Sequence, residues 1–250
     1  MQTLIVDSPA AVGQYAGAQA AALLNEALYR AERARLLLAT GQSQLELLQD
    51  LVRRPVEWAR VDAFHLDEYV GLDPSHPASF RRYLRELVAD IVPVAMHYVD
   101  PDSPDRLARL SALVDEAPMD VALVGIGENG HIAFNDPPAD FATEETYLTV
   151  ELDARCRAQQ VNEGWFASVE DVPERAVTMS VRAILRSRSI ISAVPHGAKA
   201  DALRRLFQTA APVPDMPASA LLAHPAWTLV LDRASSSRLD AQTWRRCLVL

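Results

Sequence analysis

Two carboxylates stand side by side at Asp67 and Glu68, just past the apolar run Val61-Asp62-Ala63-Phe64-His65. At the tip of a strand such a pair reads as a base with its partner, or as a solvated acidic turn. A second apolar run, Val121-Ala122-Leu123-Val124, feeds Gly125-Ile126-Gly127-Glu128-Asn129-Gly130-His131-Ile132-Ala133-Phe134-Asn135-Asp136. This loop sets a histidine between acidic side chains. Histidine changes charge near neutral pH, and a nearby carboxylate fixes its tautomer and supports its cation. Two more segments suit an anion. Thr40-Gly41-Gln42-Ser43 joins an apolar run to a helix, where free N–H groups, hydroxyls and the positive end of the helix dipole converge. An ordinary N-cap by Ser43 explains the same residues. Lys199 follows His196-Gly197-Ala198 just inside another helix. That is a second anion-binding arrangement, or a solvated surface lysine. His131 alone reads as a structural histidine. Beside Asp67, Asp136 and two anion segments it reads as catalytic.

The string from Gly125 to Gly130 matches the dinucleotide fingerprint G-x-G-x-x-G letter for letter. That fingerprint needs the third glycine to open a helix, with an acidic residue at the end of a second strand about twenty positions later. Here Pro137 and Pro138 follow within a few residues and stop any long helix. The glycines are better read as aiming His131. Glu128, His131 and Asp136 have metal-ligating side chains, but their spacing matches no standard zinc pattern.

These segments need a scaffold, and the pattern supplies one. Residues 3–6 read as a short edge-like strand, followed by a helix over 10–29 with Pro9 in its first turn and Asp7 or Ser8 as cap. Residues 35–39, 61–65, 95–99, 147–152, 176–180, 189–194 and 227–231 read as strands, the last closing the sheet. Helices are expected after Gln44, from the Ser79 cap to about 88, within 101–116, over 181–186 and 200–207, and last near Arg246. Residues 155–165 are ambiguous, and 139–146 read as a loop. Alternating strands and helices give an α/β fold with a mostly parallel sheet. The 250 residues, half of them apolar, fit one domain over 1–250. A net charge of −9 argues against nucleic acid. No stretch approaches the roughly twenty apolar residues of a membrane span, and no leader pattern opens the chain. Cys156 and Cys247 are the only cysteines and read as idle thiols. A cytoplasmic protein is expected.

Taken together, four segments resemble the glucosamine-6-phosphate deaminase family. They are Thr40 to Ser43; Phe64 to Leu72 with His76-Pro77-Ala78-Ser79-Phe80; Gly125 to Pro137; and Gly197-Ala198-Lys199-Ala200. The related 6-phosphogluconolactonases share the fold and the Gly-His step, but carry a D-E-R type segment and a G-H-T-A-S type continuation. Asp67-Glu68-Tyr69 and Gly130-His131-Ile132-Ala133-Phe134-Asn135 look like the deaminase branch. The resemblance implies a three-layer, Rossmann-like α/β fold. It also implies conversion of glucosamine 6-phosphate and water to fructose 6-phosphate and ammonia, without metal or redox cofactor. By similarity Asp67 moves a proton between C2 and C1, His131 opens the sugar ring, Asp136 tunes it, and Asn129 sits where some members carry Asp. Thr40, Gly41, Gln42, Ser43 and Lys199 would hold the phosphate. The sequence departs from the family at Asp136, often Glu, and in its Thr-Gly-Gln-Ser-Gln loop. A phosphate-gripping arginine of the family would fall near Gln160, with Arg155 or Arg157 as substitutes. A lactonase, an isomerase of a related hexosamine phosphate, and a non-catalytic sugar-phosphate-binding domain are the alternatives. No helix-turn-helix segment supports the last. A homo-oligomer is compatible with the sequence.

Overall fold

Runs such as Leu36-Leu37-Leu38 offer no polar face, so they need cover on both sides. The computed structural model, which describes residues 2–250, supplies it. In chain order the elements are β1 (Gln2–Val6), α1 (Pro9–Arg30), β2 (Ala34–Leu38), α2 (Leu45–Leu51), β3 (Val61–His65), β4 (Asp67–Tyr69), α3 (Phe80–Leu84), β5 (Ala95–His97), α4 (Pro104–Asp115), β6 (Val121–Leu123), β7 (Tyr147–Glu151), α5 (Ala154–Asn162), β8 (Arg175–Met179), α6 (Val181–Leu185), β9 (Ser189–Val194), α7 (Ala200–Gln208), β10 (Trp227–Asp232), α8 (Ala241–Trp244) and β11 (Leu248–Val249). Eight strands form a central sheet in the order β11-β1-β10-β9-β6-β2-β3-β5. Every pairing in it is parallel. Successive side chains feed opposite faces. Leu36, Leu38, Ala63, Leu123 and Ile191 join one apolar cluster, while Leu37, Phe64, Ala122 and Ile190 join another. Burying each such leucine contributes about 1.5–3 kcal/mol, so the strands hold the sheet at the centre of three layers.

The sheet order sets where a ligand can enter. From β2 the chain runs outward through β3 to β5, then returns to β6 on the other side of β2. The loops after β2 and β6 therefore diverge at a topological switch point, the usual crevice of an open α/β sheet. They are the loops that carry Thr40 to Ser43 and Gly125 to His131.

A second, smaller sheet goes beyond what the pattern predicts. β4, β8 and β7 pair antiparallel, with Asp67 opposite Thr178. Beneath it Tyr69, Phe80, Phe134 and Phe166 form a separate aromatic cluster. Other expectations shift as well. β1 is not an edge, because β11 pairs along its outer side, and β10 lies inside the sheet rather than closing it. β11 leaves no mark in the sequence because two exposed residues carry no periodicity. The Ser79 helix holds its cap, with the hydroxyl accepting from the Arg82 N–H, but after Leu84 it loosens into a π-turn over Arg85–Ala89. Ser8 caps α1 with Pro9 behind it, as expected. Residues 155–165 resolve largely into α5, capped by Asp153.

Candidate active site

A cleft opens at the switch point. Thr40, Gly41, Gln42 and Ser43 line it after β2, Asp67 at the start of β4, Gly125 to Gly127 and His131 after β6, and Lys199 after β9. Its open space is about 550 Å³, mouth included, which suits a small metabolite. Asn129 and Asp136 do not line it. They sit behind His131.

The β6 loop is a tight turn rather than a nucleotide cradle. The Gly127 N–H donates to the His131 carbonyl at 2.9 Å, and the Gly130 N–H to the Gly127 carbonyl at 3.0 Å. No helix opens after Gly130, so the dinucleotide reading fails on geometry. Gly130 takes φ +91°, open to glycine and costly to others. Gly127 is needed for another reason. A Cβ there would lie 2.2–2.5 Å from three ring atoms of His131, so the imidazole lies directly on the glycine. Ala133, which also lines the cleft, is held at φ +52°, and such strain concentrates at functional sites.

Behind the ring the supports are polar. Nδ1 of His131 is 3.1 Å from Oδ1 of Asp136, yet the ring N–H is poorly aimed for a hydrogen bond. The contact is mainly one of charge and position. Asn129 bridges the pair: its Oδ1 accepts from the His131 N–H at 2.9 Å, and its Nδ2 donates to Asp136 at 3.0 Å. Burial pushes the Asp136 carboxyl up, but His131 and then Asn129 and the Asp153 N–H more than offset it, leaving the group below its ordinary range. Asp136 is thus suited to stay ionised against the ring. Its shorter reach relative to Glu is no obstacle, because the turn brings it into contact.

Asp67 is 4 % exposed. Burial, then the charge of Glu68, holds its carboxyl well above the ordinary range. The two neighbours have separate tasks. Glu68 faces away and accepts from the N–H groups of Tyr69, Phe80 and Arg81 and from the Ser79 hydroxyl. It anchors β4 to the start of α3, which leaves Asp67 as the one of this pair that faces the cleft. The solvated-turn reading does not apply, since both are buried.

The anion segments also converge. Gly41, at φ +95°, turns the chain into a 3-10 turn over Gln42–Gln44 ahead of α2. The Ser43 hydroxyl makes no cap, which removes the N-cap alternative. Lys199 is only 5 % exposed, which removes the surface-lysine alternative. Its Nζ lies 3.5 Å from Oε1 of Glu163 and 4.0 Å from Oε1 of Glu128.

The two halves of the site hang from different sheets. The Thr40–Ser43 loop and Lys199 extend strands of the large sheet. Asp67 belongs to the small one, and the His131 segment is tied to it, through the Phe134 N–H to the Thr178 hydroxyl and Asn135 Nδ2 to the Met179 carbonyl.

Comparison with known proteins identifies the family and the fold. The family model described as glucosamine-6-phosphate isomerases/6-phosphogluconolactonase matches residues 7–230. The chain belongs to this family. A glucosamine-6-phosphate deaminase of an Exiguobacterium species is 37 % identical over 207 residues, covering 80 % of this chain and 79 % of the relative. One from Lactobacillus delbrueckii subsp. bulgaricus is 32 % identical over 247 residues, covering 96 % and 100 %. A solved structure of a monomeric glucosamine-6-phosphate deaminase superposes with a TM-score of 0.86 at 29 % identity, covering 95 % of this chain and all of that one. No helix among the described residues is long and apolar enough to cross a membrane.

Several cleft residues carry no signal in the sequence. Gln159, Gln160 and Glu163 line it from α5 and its C-terminal end. Gln160 lies where the family arginine is expected, and its Oε1 accepts from the buried Tyr69 hydroxyl at 2.8 Å. Neither expected substitute reaches the cleft: Arg157 donates to the Val169 carbonyl, and Arg155 lines a neighbouring groove with Arg205. Among the described residues, the one group of three metal-ligating side chains is His131, Asp136 and Cys156, with Cys156 in place of Glu128. Their donor atoms lie within 4.8 Å of one another. Burial, then Asp136, holds the Cys156 thiol far above its ordinary range, so it stays protonated.

Proposed function

We propose that the chain converts glucosamine 6-phosphate and water to fructose 6-phosphate and ammonia. One observation carries the reading: a buried carboxyl group of raised proton affinity, Asp67, shares a cleft with a carboxylate-backed histidine and a buried lysine beside a glycine loop. Lys199 and the loop from Thr40 to Ser43 hold the phosphate, and binding that remote group orients the open-chain sugar. His131 passes a proton between the ring oxygen and O1 to open the ring, with Asp136 supporting the imidazolium. Asp67 then takes the proton from C2 and returns it to C1 while a proton of the C2 ammonium passes to O1, which converts the open-chain 2-amino aldose to a 1-hydroxy iminium at C2. Water adds at C2, and ammonia leaves as the carbonyl forms.

The high proton affinity of Asp67 suits this work. A carboxylate with an ordinary pKa is a weak base for a carbon acid, whereas burial strengthens it. The substrate supplies its own counter-charge, because the ammonium group at C2 sits beside the reacting carbon and favours the ionised carboxylate. Both relatives described above carry the deaminase name, which supports this branch over lactone hydrolysis. The test is ammonia release from glucosamine 6-phosphate by purified protein, run beside hydrolysis of 6-phosphogluconolactone. Ammonia release is expected. Its absence, with or without lactone hydrolysis, overturns the reading.

A further inference from the structure

The phosphate end of the cleft carries an unexpected charge. Among the residues lining the cleft, Lys199 is the one fixed cation, set against the carboxyl groups of Asp67 and Glu163. Glu163 is not a loose surface acid. Its side chain is 17 % exposed and is pinned at both oxygens, by Gln159 Nε2 at 2.7 Å and Trp165 Nε1 at 3.2 Å. Its backbone carbonyl accepts from Gln42 of the phosphate loop at 3.3 Å. It caps the C-terminal end of α5, where a negative charge opposes the helix dipole. Local helix energetics thus do not account for an acid there, yet it is fixed 3.5 Å from the ammonium of Lys199. Glu128, the other acid near Lys199, is farther away and 39 % exposed, so solvent screens it more.

We propose that Glu163 is a specificity-determining residue that penalises dianionic phosphates lacking a compensating positive charge. This rests on the assignment of Lys199 and the loop as the phosphate end. An oxygen bonded to Lys199 Nζ at about 2.8 Å lies no more than about 6.5 Å from the Glu163 carboxylate, inside one Debye length. The repulsion is therefore felt in physiological salt. An amino-sugar phosphate answers it with its own ammonium and carries one net negative charge. Its product has lost the ammonium as ammonia and carries two. Inorganic phosphate has nothing to offset the carboxylate. The cleft thus favours the amino sugar over free phosphate and favours departure of the product.

The experiment measures dissociation constants of inorganic phosphate and of fructose 6-phosphate by calorimetry at about pH 8, where the phosphate ester is a dianion. The proteins are the parent, Glu163→Gln and Glu163→Gln/Lys199→Ala. The amide keeps the shape and the bond from Gln159. Both ligands are expected to bind about tenfold tighter to Glu163→Gln, the scale of one partly buried charge, and to lose that gain when Lys199 is also removed. Tighter binding is not an outcome that loosened packing produces, and Glu163→Ala should shift the same way. Equal or weaker phosphate binding by a folded Glu163→Gln overturns the proposal. If that variant binds phosphate tighter while neither protein releases ammonia, the charge assignment stands and the deaminase reading falls. If ammonia is released while phosphate affinity is unchanged, the deaminase reading stands and the charge assignment falls.

Discussion

Adding one methyl group at Gly127 should disable the enzyme without unfolding it. An alanine Cβ there would come within 2.2 Å of the His131 ring, against about 3.5–4.0 Å for carbon atoms in contact. The ring must retreat by more than about 1 Å. The backbone offers no relief and sets no penalty, since Gly127 is not among the positive-φ residues. The imidazole has little room behind it, with Asp136 at 3.1 Å and Asn129 bonded to its own N–H. Displacements of this size at a reacting group cost about 100-fold in rate, or about 2.7 kcal/mol in the barrier. Overpacking costs about 1–3 kcal/mol of stability, which in a chain of this length lowers the melting temperature by only a few degrees per kcal/mol. Steady-state ammonia release gives kcat, and calorimetry gives the transition. The expected result for Gly127→Ala is a kcat lower by about two orders of magnitude in a protein that still melts cooperatively. A kcat within about threefold of the parent would refute the argument that glycine is there to seat the histidine.

Asp67→Asn should abolish turnover while leaving sugar-phosphate binding, and a folded variant that no longer binds would remove Asp67 from the role of base. It should also be stabilising: the raised pKa means that the folded state loses stability as pH climbs from the ordinary carboxylate range to the raised value and stays lowered beyond it. Chemical denaturation at neutral pH should find the variant more stable than the parent, with the gap closing in acid, and the opposite order would contradict the burial argument. Lys199→Ala should raise KM at least about tenfold with a smaller effect on kcat, and an unchanged KM removes it from the site. His65 is fully buried, and burial followed by the Arg81 charge holds its pKa down from 6.5 to about 3. The unfolded chain takes up that proton first, so stability should fall as pH drops from 6.5 toward about 3, and His65→Asn should flatten that slope in urea midpoints. Identical slopes would show that another group dominates.

What the sequence made legible is what chemistry stamps locally. Asp67 stands at a strand end, His131 follows closely spaced glycines, and Lys199 follows a glycine turn. Each is announced by a break in an apolar run, and the parallel sheet follows from the same runs. The pieces that stayed hidden lack such marks. β4 is three residues long and begins with two acids, so its pairing with β8 shows only in three dimensions. Glu163 and Gln159 stand four apart on α5, a mostly polar helix whose pattern announces neither core nor site. Gln160 reads in sequence as a lost arginine, and only its bond to Tyr69 shows how it is used.

The division of the cleft between two sheets has a consequence for its spacing. The groups assigned to the phosphate follow strands of the large sheet, whereas Asp67 opens β4 of the small one and the His131 segment, leaving β6, is tied to that small sheet through Asn135. Leu66 alone joins β3 to β4, and its N–H donates to the Leu38 carbonyl at 3.2 Å, so the spacing between the Lys199 end and Asp67 is set by main chain that the two sheets share. Exchanging side chains within either half leaves that main-chain spacing unaltered.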